Sequence, residues 1–143
     1  RCHEPRPAAP GAHVTVGGVW TNGSDRNSKE NFQPIDNGEI LSKVADLPIT
    51  RWQYKGEDHS IRLIGPVAQD FHAAFGLGGS DKHIGTLDAD GVALAAIQGL
   101  HSIVQEKDCE IENLKSEIAN LKGRESRLAR VEALLHGTKE GTD

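Results

Sequence analysis

The sequence predicts an α+β fold: a small mixed head followed by one long C-terminal helix that assembles as a parallel coiled coil. Two observations carry this. Between Val14 and Asp88, short β-branched and aromatic segments alternate with amphipathic helical blocks, separated by Gly, Pro, Asn and Asp. From Ala93 to Leu135 an apolar repeat of 3.5 residues replaces that mixture. The 143 residues divide into 1–23, a linker with a strand-like end; 24–90, the head; 91–136, the helix; and 137–143, a disordered tail.

The first dozen residues, "RCHEPRPAAPGA", are rich in Pro and Ala and read as linker. Val14, Val16 and Val19 in "HVTVGGVW" give a short strand interrupted by Gly17 and Gly18. "WTNGSDRNSKENF", Trp20 to Phe32, is a turn-rich polar loop. Asp36 caps the first helix, with Glu39 completing a capping box and Ile35 and Ile40 as its staple. Ile40, Leu41, Val44 and Leu47 line one face, and Pro48 stops the helix. "ITRWQYK" and "SIRLIG" read as two strands joined by the polar turn Gly56 to His59. Pro66 starts a second helix, with Val67, Phe71, Ala74 and Phe75 inward and Gly76 as its end. Asp88 or Asp90 caps the last helix.

In that helix Ile97, Val104, Ile111 and Ile118 occupy heptad position a. Ala93, Leu100, Leu114, Leu121, Leu128 and Leu135 occupy d. Lys107 at d and Glu125 and Glu132 at a interrupt the seam. Glu110 and Glu117 fall at g, with Lys115 and Lys122 at the following e positions, so a parallel, in-register assembly would pair them between chains. Ile at a with Leu at d favours two strands, while Ala96 and Ile103 at g widen the seam as in higher assemblies, so periodicity leaves two or three chains open. The head of about 65 residues is marginal alone, and association through the helix offsets that.

Composition is 36% hydrophobic and 26% charged, with no apolar run near the roughly 18 residues of a membrane span. The formal charge of −5 gives no attraction to nucleic acid. The chain starts at Arg1 and contains no Met, as expected of a fragment or processed product. Cys2 and Cys109 make no metal spacing. His59, His72 and His83 with Asp58, Asp70 and Asp81 fit none either, and no cofactor or metal is expected. "DADG" fails as a calcium loop because positions 1 and 12 would be Thr86 and Ile97. "GLGGSDK" lacks phosphate-loop spacing, and "NGS" at Asn22 is formally a glycosylation triplet.

Ser24 and Lys29 are the candidates for catalysis. A serine hydroxyl becomes a nucleophile only when a base takes its proton, and a lysine serves once desolvation lowers its pKa. Five residues apart, the two side chains do not share a helical face, but a turn at Asp25 and Asn27 can bring them together.

The order of these blocks resembles the C-terminal intramolecular chaperone domain of phage endosialidase tailspikes. This is a self-cleaving Ser-Lys family also found in other phage fibres, bacterial surface proteins and myelin regulatory factor. The residues that carry the resemblance are "SDRNSKENFQPI", "LPITRWQYK", "LIGPVAQDF" and "DGVALAAIQGL", within a span from about Val14 to Leu135. The resemblance implies a homotrimer, a chaperone role toward an upstream fibrous segment of the same chain, and self-release. Residues 1–23 would then be the end of that segment. It implies Ser24 as nucleophile, Lys29 as general base and Ser24–Asp25 as the bond cut. Attack by Ser24 on its own carbonyl closes a four-membered ring, whereas attack on the Gly23 carbonyl closes a five-membered one, so Gly23–Ser24 stays open as the bond one earlier. The implied setting is a virion fibre or a bacterial cell surface, after assembly in the cytoplasm. The second reading is a permanent trimerisation module whose Ser-Lys pair is idle.

Overall fold

The computed structural model describes residues 11–137. The linker reading of residues 1–10, with Cys2, and the tail from 138 lie outside them. Two units divide the chain between Ile97 and Gln98.

The first unit opens with a hairpin. β1 (His13–Val14) and β2 (Trp20–Thr21) pair antiparallel, with His13 opposite Thr21 and Val14 opposite Trp20. "HVTVGGVW" is therefore two strands and a turn rather than one interrupted strand. The Thr15 N–H donates to the Val19 carbonyl at 2.8 Å, and the Gly18 N–H donates to the Thr15 carbonyl at 2.9 Å.

α1 (Asn37–Asp46) starts where the cap places it. Asp36 Oδ1 accepts from the backbone N–H groups of Gly38 (2.8 Å) and Glu39 (3.1 Å), satisfying two donors that no helical carbonyl can reach. Glu39 turns forward onto Lys43 at 2.7 Å, where the capping box would have it reach back. Leu47 ends the helix immediately before Pro48.

β3 (Thr50–Trp52) and β4 (Leu63–Gly65) form the second antiparallel pair, with Arg51 opposite Ile64. Between them the Ser60 N–H donates to Asp58 Oδ1 at 2.8 Å, and that bond with the Ser60 hydroxyl holds the Asp58 carboxyl below its usual range. The Trp52 indole N–H donates to the Gly65 carbonyl, and its ring meets Tyr54 edge-on at 5.1 Å.

α2 spans Ala68–Phe75, two residues later than a start at Pro66. Val67 stays extended (φ −87°, ψ 153°) and its carbonyl accepts the first helical bond, from Phe71, so Pro66 lies just outside the helix. Gly76 closes it in the left-handed region (φ 65°), with its N–H on the His72 carbonyl at 2.8 Å. Phe71 is 5% exposed and its ring lies 4.9 Å from that of Phe75. Val67 is considerably exposed instead of inward.

α3 runs from Thr86 to Gly137, beginning five residues before Gly91. Its first bond joins the Ala89 N–H to the Gly85 carbonyl, so Gly85 occupies the cap position. Neither Asp88 nor Asp90 caps the helix. Asp88 lies in the first turn, where a carboxylate favours the positive helix end. Its carboxylate folds back so closely that a Cβ on Gly85 would meet Oδ2 at 2.8 Å. Val92, Ala95 and Ala96 are buried. Val92 and Ala95 share a cleft of about 320 Å³ with Ile35, Ile40, Phe75, Leu77 and Leu87. Ala96 is thus part of the head's core and does not widen the heptad seam.

In the second unit α3 continues with every residue from Leu100 to His136 exposed. The apolar a and d side chains lie open along it, Leu100, Val104, Ile111, Leu114, Ile118, Leu121, Leu128 and Leu135 among them. Within the chain Lys107 pairs with Glu110, and Lys115 with Glu112 at 2.8 Å. Glu110 and Lys115, assigned to pairs between chains, are thus engaged along the helix in a single copy. No helix of the described residues is long and apolar enough to cross a membrane.

Candidate active site

Ser24 lies three residues past β2, and Lys29 follows a single 3-10 turn at Arg26–Ser28. Local chemistry builds that turn. Asp25 is its cap, extended at φ −63° and ψ 131°, and its Oδ1 accepts from the Asn27 backbone N–H at 3.0 Å and from the Asn27 amide at 3.2 Å. The Ser28 hydroxyl donates to the Asp25 carbonyl at 2.7 Å, and the Lys29 N–H donates to the Arg26 carbonyl at 3.2 Å. Asp25 is therefore held at its side chain and its carbonyl, directly after Ser24. The Arg26 guanidinium stacks over the Phe32 ring at 5.4 Å.

The turn reverses the chain so that Lys29 points back at Ser24. Lys29 Nζ lies 2.7 Å from Ser24 Oγ, a full hydrogen bond between side chains five residues apart. Ser24, Asp25 and Lys29 are exposed, and Gly23 is half-buried. The arrangement brings a hydroxyl and an amine into contact, the pair of groups from which a nucleophile and its base can be made. Both side chains are open to water in the single chain, and a lysine amine acts as a base when water is excluded from it.

Upstream, Asn22 is fixed from two sides. Its Oδ1 accepts from the Trp20 indole N–H at 3.2 Å, and its Nδ2 donates to Thr86 Oγ1 at 2.9 Å. Sequence reasoning missed this residue, because its partner lies 64 positions away.

The remaining candidates are engaged elsewhere. His59 bonds Gln53 at 2.7 Å, His72 Nδ1 donates to the Leu77 carbonyl at 2.8 Å, and His83 faces Ser80. Among the described residues no three His, Cys, Asp or Glu side chains gather as a metal site. Cys109 is exposed on α3. A cleft of about 450 Å³ bounded by Trp52, Tyr54, Val67 and His83 includes neither Ser24 nor Lys29 among its lining.

Comparison with known families places residues 24–77 in a match to the profile of the peptidase S74 family, described as chaperone of endosialidase. The match opens on Ser24 itself, takes in Lys29, α1, β3, β4 and α2, and closes at Leu77. The resemblance read from the sequence holds over that segment, and α3 lies beyond it. No curated protein matches the chain.

Proposed function

We propose that this chain, whose residues 24–77 carry the chaperone-of-endosialidase match, is an intramolecular chaperone that releases itself by Ser24–Lys29 self-cleavage. It assembles as a parallel homotrimer through α3 and assists the folding of an upstream fibrous segment of its own chain. The observation that carries the reading is the 2.7 Å contact between Lys29 Nζ and Ser24 Oγ, at the opening of the family match.

The chemistry is acyl transfer. Lys29, as the neutral amine, takes the hydroxyl proton while Ser24 Oγ attacks a peptide carbonyl carbon. The tetrahedral intermediate collapses as the C–N bond breaks, and the Lys29 ammonium returns its proton to the departing amine. Water then hydrolyses the ester, leaving a carboxylate on one fragment and the free hydroxyl on Ser24. The proposed cut is Ser24–Asp25. Within one chain it would close a four-membered ring, and attack by the Ser24 oxygen of a neighbouring copy removes that obstacle. The competing cut, Gly23–Ser24, closes a five-membered ring within one chain and leaves Gly23 as the carboxylate. The two routes release fragments beginning at Asp25 or at Ser24.

Two features support assembly. The heptad seam of α3 is mostly apolar and open from Leu100 to Leu135, broken at Lys107, Glu125 and Glu132, while its opposite face at Val92, Ala95 and Ala96 is already used in the head. A seam of that length exposed to water is a large hydrophobic cost, and like seams cover it. Assembly also supplies the missing term at the dyad, since neighbouring copies can exclude water from Lys29. Cutting would then follow completion of the trimer and report that the upstream segment has assembled.

The exposure of Ser24 and Lys29 in the single chain favours one other reading, a permanent trimerisation module with an idle pair. Intact-mass analysis of the purified precursor separates them. Self-cleavage gives a fragment starting at Asp25 or Ser24 that is absent from Ser24→Ala. A wild-type chain that remains whole at every pH would leave only the permanent module.

A further inference from the structure

We infer that Asn22 is a positioning residue for Ser24, and that it acts through its hydrogen bond to Thr86. The inference rests on the self-cleavage reading and adds to it a link between the scissile loop and the first residue of α3.

The orientation of the Asn22 amide is settled by chemistry. An indole N–H donates and never accepts, so the atom facing Trp20 is Oδ1, at 3.2 Å. The amide nitrogen is thereby turned to Thr86 Oγ1, at 2.9 Å, which accepts from it. One carboxamide spans β2 and the start of α3, although Asn22 and Thr86 are 64 residues apart. Both ends of the side chain are committed to these partners, which gives the Asn22-Gly23-Ser24 triplet an internal role.

Only Gly23 separates this anchor from Ser24. On the other side, Asp25 is held by its own cap bonds and by the Ser28 hydroxyl. Ser24 is therefore suspended between two fixed points, with a glycine as the one flexible joint. Lys29 belongs to the downstream point, through the turn. The upstream point sets where the Gly23 and Ser24 carbonyls lie relative to Oγ. Loss of the Asn22–Thr86 bond frees the Gly23 side and spreads Ser24 over arrangements that do not react. Misplacement by about 1 Å is enough to slow a reaction on the order of a hundredfold. Because Thr86 opens α3, the ordering of that helix and the placement of the nucleophile are joined through one hydrogen bond.

The test follows first-order cutting of the full precursor against pH for wild type, Thr86→Val, Thr86→Ser, Asn22→Ala and Ser24→Ala, with the assembled mass measured for each. Thr86 is exposed, so the valine removes the acceptor without opening a cavity. Thr86→Val and Asn22→Ala should lower the plateau rate about tenfold to a hundredfold. The midpoint of the pH profile should stay in place, because the base is untouched. Thr86→Ser, which keeps the hydroxyl, should cut at close to the wild-type rate, and all variants should keep the wild-type assembled mass. Thr86→Val cutting at the wild-type rate would overturn the inference and leave the dyad standing. Thr86→Ser as slow as Thr86→Val, or a slow rate accompanied by loss of assembly, would overturn it equally. A wild-type chain cut no faster than Ser24→Ala would overturn the self-cleavage reading, and this inference with it.

Discussion

Lys29 Nζ lies 2.7 Å from Ser24 Oγ in a single chain, although both side chains are exposed. Proximity is thus supplied by the 3-10 turn at Arg26–Ser28, without help from any other copy. Desolvation is not. The single chain thus meets one of the two requirements of a Ser-Lys pair, and the proposed assembly is asked to meet the other.

Ser24→Ala and Lys29→Ala should each block self-cleavage while leaving the head folded. Both side chains sit in an exposed loop outside the apolar core, so truncation opens no cavity, and stability should change by no more than about 0.5 kcal/mol. Intact mass over time, beside a thermal melt, checks both halves. Cutting at the wild-type rate in either variant would refute the role of that residue.

Asp36→Ala should destabilise the head by about 1 kcal/mol, because two backbone N–H groups at the start of α1 lose their acceptor. In a head this small that corresponds to a fall in melting temperature of roughly 4–8 °C. An unchanged melt would show that α1 contributes nothing to the cooperative unit.

Ile111→Asp should abolish assembly and leave the single chain intact. Ile111 is 46% exposed in one copy, so the carboxylate costs little there. In the assembled seam every copy would bury an unpaired charge. Sedimentation equilibrium should give a trimer for wild type and a monomer for the variant. A dimer mass for wild type would correct the copy number, and an assembled Ile111→Asp would place the interface elsewhere.

Legibility in the sequence followed the range of the interactions. Asp36, Gly76 and the Asp25 turn were readable because a cap or turn is decided within a few residues. The Ser24–Lys29 approach was readable for the same reason. Two errors came from assigning a residue its commonest local role. Gly17 and Gly18 read locally as interruptions of one strand, whereas they reverse the chain between two. Asp88 and Asp90 both read as caps, whereas Gly85 occupies that position and Asp88 complements the helix end from its first turn. Ala96 illustrates the limit of a heptad repeat, which assigns faces relative to the seam but does not say which other face the head covers. The Asn22–Thr86 bond was beyond reach, since nothing near Asn22 announces a partner at the start of α3.

Under the proposed function, assembly switches on a pair already in contact. A lysine amine serves as a general base once water is excluded from it, and the exposed loop of a single chain does not exclude water. The most direct measurement is the cutting rate, from pH 7 to pH 11, of a chain ending after Leu100. Such a chain keeps the buried Val92, Ala95 and Ala96 but lacks most of the seam. The prediction is a monomer that remains whole at pH 7 and recovers cutting only at high pH. Undiminished cutting at pH 7 by the monomeric head would contradict it.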